Sequence, residues 1–281
     1  MAGFWDRVRS RGRDARRRPS RSEPAGPPGP PDFVGVGAQR AGTSWWFSLL
    51  LQHPGVDYGV ERKKELHYFD RFADREFGAE DVARYHALFP RSGDLLRGEW
   101  TPRYMFDFWT PRLLARAAPE ARILVMLRDP VERFSSGIAH EEALHGSQPW
   151  QRKLFAGSAL ARSRYAEQLD RLGDHFPRSQ ILVLQYERCL ADPLAFYGKT
   201  LEFLGLAPFE LEPSQVQRPV GRLTSRSPLP AEAHRAVVTE LREDVNRLAA
   251  AFPEIDLSLW ADFAPEGPSV SDQLTSGTHL S

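Results

Sequence analysis

Phe33-Val34-Gly35-Val36-Gly37-Ala38-Gln39-Arg40-Ala41-Gly42-Thr43-Ser44 decides the fold. Its first five residues are a short apolar run closed by glycine, the mark of a buried strand. Thr43 to Gln52 then carries aromatic and leucine residues and stops at His53-Pro54, which predicts a helix. Between the two, Gly37 and Gly42 stand in the G-x4-G spacing of a phosphate-binding loop. Glycines let the backbone wrap an anion, and the N–H groups of the following helix face it. A triphosphate loop continues from its last glycine with Lys and then Ser or Thr, the Lys reaching the β and γ phosphates. Here Thr43 and Ser44 follow Gly42 directly. A ligand with a single phosphate at this point fits better than a triphosphate, held by loop amides, two hydroxyls and Arg40.

The alternation continues outward from this unit. Thr110-Pro111 reads as an N-cap and N1 proline opening a helix to about Ala118. Ile123-Leu124-Val125-Met126-Leu127 is an unbroken apolar run, typical of a parallel strand covered on both faces. Ser158 to His175 predicts a helix, and Ile181-Leu182-Val183-Leu184 a second such strand. Asp192-Pro193 caps a helix with Leu194, Tyr197, Leu201 and Leu204 at three-to-four spacing. Residues 231–252 form a long helix with Val237, Leu241, Val245, Leu248 and Phe252 on one face. Strands alternating with helices predict an α/β, P-loop-like fold with a mainly parallel central sheet flanked by helices. Ligands bind such sheets at the carboxyl ends of strands, so chemistry is sought after Val36, Leu127 and Leu184.

Composition narrows the classes. The chain has 281 residues, 41% hydrophobic and 26% charged, with 37 basic and 37 acidic side chains. The formal charge of zero argues against a globally basic nucleic-acid binder. It divides unequally: residues 1–31 carry +5 and the remainder −5. Residues 1–31 are Arg-rich and end in Pro24, Pro27, Pro28, Pro30 and Pro31, which reads as a disordered tail with a stiff linker. Phe4, Trp5 and Val8 beside the Arg run allow weak contact with an anionic membrane surface, set against a simply solvated tail. Residues 32–264 read as one domain and 265–281 as a second frayed end. The single cysteine, Cys189, excludes an intrachain disulfide and a multi-thiolate zinc site. No cluster of metal ligands stands out. With no apolar run near ~18 residues and no apolar stretch after the basic start, the expected location is the cytoplasm.

Two more stretches draw attention. Lys63-Lys64-Glu65-Leu66-His67-Tyr68-Phe69-Asp70 places two of the chain's four lysines side by side, against 33 arginines. A lysine can set a compact charge where a guanidinium fork does not fit. The alternative is a solvated charge cluster before an aromatic strand. Arg128-Asp129-Pro130-Val131-Glu132-Arg133-Phe134-Ser135-Ser136 follows the strongest strand, with Asp129 as N-cap and Pro130 at N1. Arg128 and Ser136 are placed to converge on one phosphate; the alternative is a capped helix with surface arginines.

In this order the stretches resemble the sulfotransferases that use 3′-phosphoadenosine 5′-phosphosulfate (PAPS), in the branch shared by bacterial enzymes and heparan-sulfate sulfotransferase domains. That family carries patterns like GxxKxGTT, KExHFFD, TPxY and RDPxxRxxSxY. This chain reads GAQRAGTS, KELHYFD, TPRY at Thr101–Tyr104 and RDPVERFSSGI, followed by ILVLQYERCLADP. The likeness covers about residues 32–260. It implies sulfuryl transfer from PAPS to a hydroxyl-bearing acceptor, leaving adenosine 3′,5′-bisphosphate.

The resemblance implies 5′-phosphate binding by Gly37, Gln39, Arg40, Ala41, Gly42, Thr43 and Ser44. It implies 3′-phosphate binding by Arg128 and Ser136, and a general base at Glu65, with His67 as the other candidate. The family often has Lys where Arg40 stands, on the leaving-group oxygen; Lys64 is placed to share that work. Ile138 stands where the family often has tyrosine. Arg222, with Arg218, Gly221 and Arg226, falls where a C-terminal family loop adds basic contacts. Two other functions remain open: a kinase-like phosphotransferase and a non-catalytic nucleotide-binding module. The acceptor is read as a small molecule, glycan or glycolipid. Trp45, Trp46, Trp100, Tyr104 and Trp109 would either line its pocket or belong to the core.

Overall fold

A computed structural model describes residues 26–91, 93–146, 148–216 and 229–265. In chain order these contain β1 (Phe33–Gly37), α1 (Thr43–Leu50), β2 (Val56–Tyr58), α2 (Ala79–His86), β3 (Leu96–Trp100), α3 (Thr110–Ala117) and β4 (Arg122–Leu127). There follow α4 (Pro130–His145), α5 (Pro149–Ser163), α6 (Tyr165–Gly173), β5 (Ile181–Gln185), α7 (Tyr186–Ala191), α8 (Pro193–Leu204), α9 (Pro213–Val216) and α10 (Ala231–Ala251). The five strands form one sheet in the order β2-β3-β1-β4-β5, every pair parallel. The α/β class, the central parallel sheet and most of the predicted elements are as expected.

The order explains where a ligand can sit. The chain leaves β1 for β2 on one side of the sheet, and leaves β4 for β5 on the other. Loops leaving in opposite directions open a crevice between β1 and β4 at their carboxyl ends. β1 is buried along its whole length. A Cβ on Gly35 would lie 2.0 Å from the Trp100 ring, so only glycine lets β1 and β3 approach there.

Three expectations change. The helix over 158–175 is two helices, α5 starting earlier at Pro149 and α6 restarting at Tyr165. The break is held from afar. Asp244 of α10 accepts the Ala166 and Glu167 amides at 3.0 and 3.2 Å, supplying the cap that starts a new helix. After the lysine pair comes a 3₁₀ turn, Phe69–Phe72, rather than an aromatic strand. Finally, the end of the expected linker is bound to the domain. The Arg91 amide donates to Pro27 O at 2.9 Å, its guanidinium to Pro30 O at 2.8 Å, and Gly29 N to His86 O at 3.3 Å. Residues 1–25 and 266–281, which include the Phe4-Trp5-Val8 segment, lie outside the described residues. Among the described residues no helix is long and apolar enough to cross a membrane.

Candidate active site

The first loop turns sharply at the crevice. Gly42 has φ 93°, which glycine adopts without strain. A Cβ on it would lie 2.6 Å from the Tyr186 ring, so the loop lies directly against the start of α7. Thr43 and Ser44 open α1, placing two hydroxyls beside the first-turn N–H groups. Arg40, also at positive φ (69°), sends its Nε to Ser136 Oγ at 3.1 Å. That bond joins the first loop to α4 across the crevice, 96 positions apart in sequence.

The loop after β4 supplies the facing wall. Asp129 caps α4 by accepting the Val131 and Glu132 amides at 2.8 and 3.0 Å, as its place before proline predicts. Its own N–H donates to Glu187 at 2.9 Å, and Glu187 is fixed in turn by Trp260 Nε1 at 3.1 Å. Arg128, mostly buried, donates to Glu132 at 2.8 Å and lies over the Tyr186 ring, 5.5 Å from its centroid. The sequence reading gave no role to Arg133. It is fully buried behind this wall and donates to Ser163 Oγ and Ala159 O at 2.8 and 2.7 Å. Burial, reinforced by the charges of Arg162, Arg40 and Arg128, lowers its pKa to about 10. So many cations gathered at one spot favour an anion there.

The third component is the strap 63–68. Its two lysines diverge. Lys63 is exposed and pairs with Glu61, whereas the Lys64 side chain is only 4% exposed. Lys64 Nζ donates to Thr43 Oγ1 at 3.1 Å and to Glu65 Oε1 at 2.7 Å. The cation missing after Gly42 is thus delivered to the same loop from 21 residues downstream. Burial lowers the Lys64 pKa, opposed by Glu65.

On its other side, Glu65 Oε2 lies 3.3 Å from His67 Nε2, and His67 Nδ1 lies 2.9 Å from Asp70 Oδ2. Burial alone would raise the Glu65 pKa. The His67 hydrogen bond and the Lys64 charge outweigh it and hold the carboxyl at about 2. His67 moves the opposite way, raised by its hydrogen bond to Glu65 and then by Asp70.

The arrangement therefore brings together Lys64, Glu65, Thr43, Arg40, Ser136 and Arg128 at the carboxyl edge of β1 and β4. Arg222 and its neighbours 218, 221 and 226 lie outside the described residues. Of the aromatics, Trp45 and Trp46 belong to the core: their Nε1 groups donate to Val216 O and Thr200 Oγ1 at 3.1 and 3.2 Å. Trp100 and Tyr104 are buried as well, while Phe108 is 72% exposed.

Residues 97–210 match the model of the Sulfotransferase family. Over those residues the chain is similar to that family. A sulfotransferase crystal structure from Alicyclobacillus acidocaldarius superposes with a TM-score of 0.64 at 28% identity, covering 82% of this chain and 98% of that one. Mouse heparan sulfate glucosamine 3-O-sulfotransferase 6 is 32% identical over 187 residues, covering 63% of this chain and 52% of the relative. Human heparan sulfate glucosamine 3-O-sulfotransferase 3B1 is 30% identical over 189 residues, covering 63% of this chain and 46% of the relative. The chain thus spans about half the length of these curated relatives. The family match begins at Arg97, so it takes in β3 and the wall after β4 but neither the first loop nor the strap.

Proposed function

We propose that this chain transfers the sulfuryl group of PAPS to an acceptor hydroxyl, with Lys64 and Glu65 at the reacting centre. The observation that carries the reading is the Lys64 ammonium, which bridges the phosphate loop at Thr43 and the carboxylate of Glu65. The loop from Gly37 through Gln39, Ala41 and Gly42 to Ser44 takes the 5′-phosphate on its amides and hydroxyls. Arg128 and Ser136 take the 3′-phosphate, and Arg40, in the 5′-phosphate loop, reaches Ser136 across the crevice. Glu65 removes the acceptor proton as the acceptor oxygen forms its bond to sulfur. The bond from sulfur to the bridging phosphate oxygen breaks, and Lys64 stabilises the charge that builds there. Positioning and electrostatics carry most of the work, as in phosphoryl transfer.

The low pKa of Glu65 fits this sequence of events. While Lys64 and His67 both hold the carboxylate, it is a weak base. A bound donor draws Lys64 towards its phosphate, and Glu65 becomes more basic as that contact loosens.

The acceptor is a hydroxyl compound: a small molecule, a glycan or a glycolipid. Arg103 lies 3.8 Å from Asp70 and is engaged by Asp107 at 2.7 Å, so its charge is satisfied within the protein. Glu65 and Asp70 are likewise engaged, by Lys64, His67 and Arg103, so these charges pair among themselves.

Two measurements test the proposal. Adenosine 3′,5′-bisphosphate at 100 times its Kd stabilises the fold by about 2.7 kcal/mol, read as a rise in melting temperature, whereas ATP with magnesium gives none. Radiolabelled sulfate from PAPS appears in a hydroxyl compound of the native host's extract. Stabilisation by ATP with magnesium and not by the bisphosphate would instead establish the kinase-like reading.

A further inference from the structure

We infer that Glu99 is a positioning residue: a buried carboxylate that holds the strap 64–68 so that Lys64 stays on the phosphate loop and Glu65 faces the acceptor. The inference rests on the proposed sulfuryl transfer at Glu65, and Glu99 itself touches neither donor nor acceptor.

Glu99 sits on β3, next to the central strand, and is fully buried. Four groups donate to it. Oε2 accepts from Thr101 Oγ1 at 2.5 Å and from the Leu66 amide at 3.2 Å. Oε1 accepts from Tyr85 OH at 2.9 Å and from Tyr104 OH at 3.2 Å. Two of these donors also accept from the strap. Thr101 Oγ1 accepts from the Leu66 and His67 amides at 3.0 and 3.4 Å, and Tyr104 OH from the Tyr68 amide at 2.8 Å. The Trp100 amide donates to the Lys64 carbonyl at 2.8 Å. The backbone on both sides of Glu65 is therefore tied to β3 and to the segment that follows it, directly at Leu66 and through Thr101 and Tyr104 elsewhere.

A surface-like charge in the middle of a sheet is costly unless its hydrogen bonds are complete. Here the partners come from α2, from β3's own continuation and from the strap. All four donate, so only an acceptor with two equivalent oxygens satisfies them together. An amide of the same shape turns a donor towards two of these donors, and the network must rearrange. The first element it releases is the strap, which has no ladder of its own to hold it among the described residues. Misplacing reacting groups by about 1 Å is enough to cost about 10²-fold in rate.

The test compares wild type with Glu99→Gln. Turnover is read as label transferred from PAPS to the acceptor pool of a host extract, donor affinity by calorimetry with adenosine 3′,5′-bisphosphate, and backbone order by amide hydrogen exchange. In Glu99→Gln, turnover falls about 100-fold, donor Kd changes by less than about fivefold, and exchange rises at residues 66–68 but not in β1 or β4. Tyr104→Phe, which removes only the hydroxyl joining Glu99 to the Tyr68 amide, moves turnover and exchange in the same direction by a smaller factor. It serves if the first variant does not fold. Turnover within threefold of wild type in a folded Glu99→Gln overturns the inference. So do equal losses of turnover and donor affinity with exchange raised throughout the sheet, which would mark Glu99 as a plain stability residue. A wild type that neither binds the bisphosphate nor transfers label sinks the sulfuryl-transfer reading instead, while the exchange data still decide whether Glu99 holds the strap.

Discussion

Replacing Lys64 by methionine separates charge from packing. The side chain is almost fully buried, so a thioether of similar length fills the same space without exposing a void. The ion pair with Glu65 disappears together with the burial penalty on the ammonium, and Glu65, whose side chain is 40% exposed and still meets His67, is not left as a stranded buried charge. The fold therefore survives, and any change in rate reports on the site. In the proposed mechanism Lys64 is the fixed cation at the bridging oxygen, where charge grows only as the bond to sulfur breaks. Removing one such donor typically costs 10²–10³ in kcat, about 2.7–4 kcal/mol. The ground-state loss is smaller, because the loop amides, Thr43, Ser44 and Arg40 still face the donor. Expected, then, is a kcat lower by 10²–10³ and a Kd for adenosine 3′,5′-bisphosphate raised less than about tenfold. Steady-state transfer at saturating PAPS gives the first quantity and calorimetry the second. A variant whose donor Kd rises while kcat stays unchanged would refute the reasoning, since it would show that Lys64 contributes uniform binding alone.

Three further outcomes are expected. Glu65→Gln keeps donor affinity and loses about 10²–10⁴ in turnover, the usual worth of a general base; near-wild-type transfer would move the role to His67. Ser136→Ala removes the hydroxyl that accepts from Arg40 at 3.1 Å. Hydrogen bonds to charged groups are worth about 1.5–3 kcal/mol, so bisphosphate Kd should rise roughly 10–100-fold, measured by calorimetry. The third concerns pH. Burial raises the Glu99 pKa from 4.5 to about 7, against the pull of its hydrogen bonds. A carboxyl with a raised folded-state pKa destabilises the fold as pH rises from 4.5 through 7, and the penalty is then constant at about 3 kcal/mol. Denaturant unfolding at pH 4 and pH 8 should show wild type losing about that much relative to Glu99→Gln, and parallel pH dependences would contradict the burial argument.

Much of the scaffold was legible because it is locally encoded. β1, the glycine turn and α1 follow from an apolar run and two glycines; β4 and the Asp129 cap follow from a second run and a Pro at N1. The direction of individual side chains was not legible. Composition alone does not say which ammonium of Lys63-Lys64 turns inward; the resemblance points to Lys64, and its side chain contacts Thr43. Trp45 and Trp46 were equally ready to line a pocket, and their indole hydrogen bonds to Val216 and Thr200 place them in the core. β3 was missed for a related reason. Leu-Arg-Gly-Glu-Trp reads as polar and broken, yet Arg97 and Glu99 are both buried. Their partners lie outside the local window, as does Asp244, the cap that splits the predicted helix at Arg164.

The same non-local wiring bears on how the reaction is ordered. A lysine placed directly after Gly42 would be tied to the loop whatever the base was doing. Here the lysine is adjacent in sequence to the proposed base, so one ammonium cannot fully serve the carboxylate and the donor at once. With His67 and Lys64 both on Glu65, the carboxylate is held at about 2 and is a poor proton acceptor. With Lys64 drawn to the donor phosphate, the leaving group gains its cation and the base loses its strongest neighbouring charge in the same movement. His67, with Asp70 behind it, keeps Glu65 oriented through that exchange, as their 3.3 and 2.9 Å contacts allow. In the proposed mechanism the donor therefore activates the base, and the strap must be flexible at the Lys64 side chain but rigid in its backbone. The backbone bonds to Thr101, Tyr104 and Glu99 supply the rigidity, and the long unbranched lysine side chain supplies the reach.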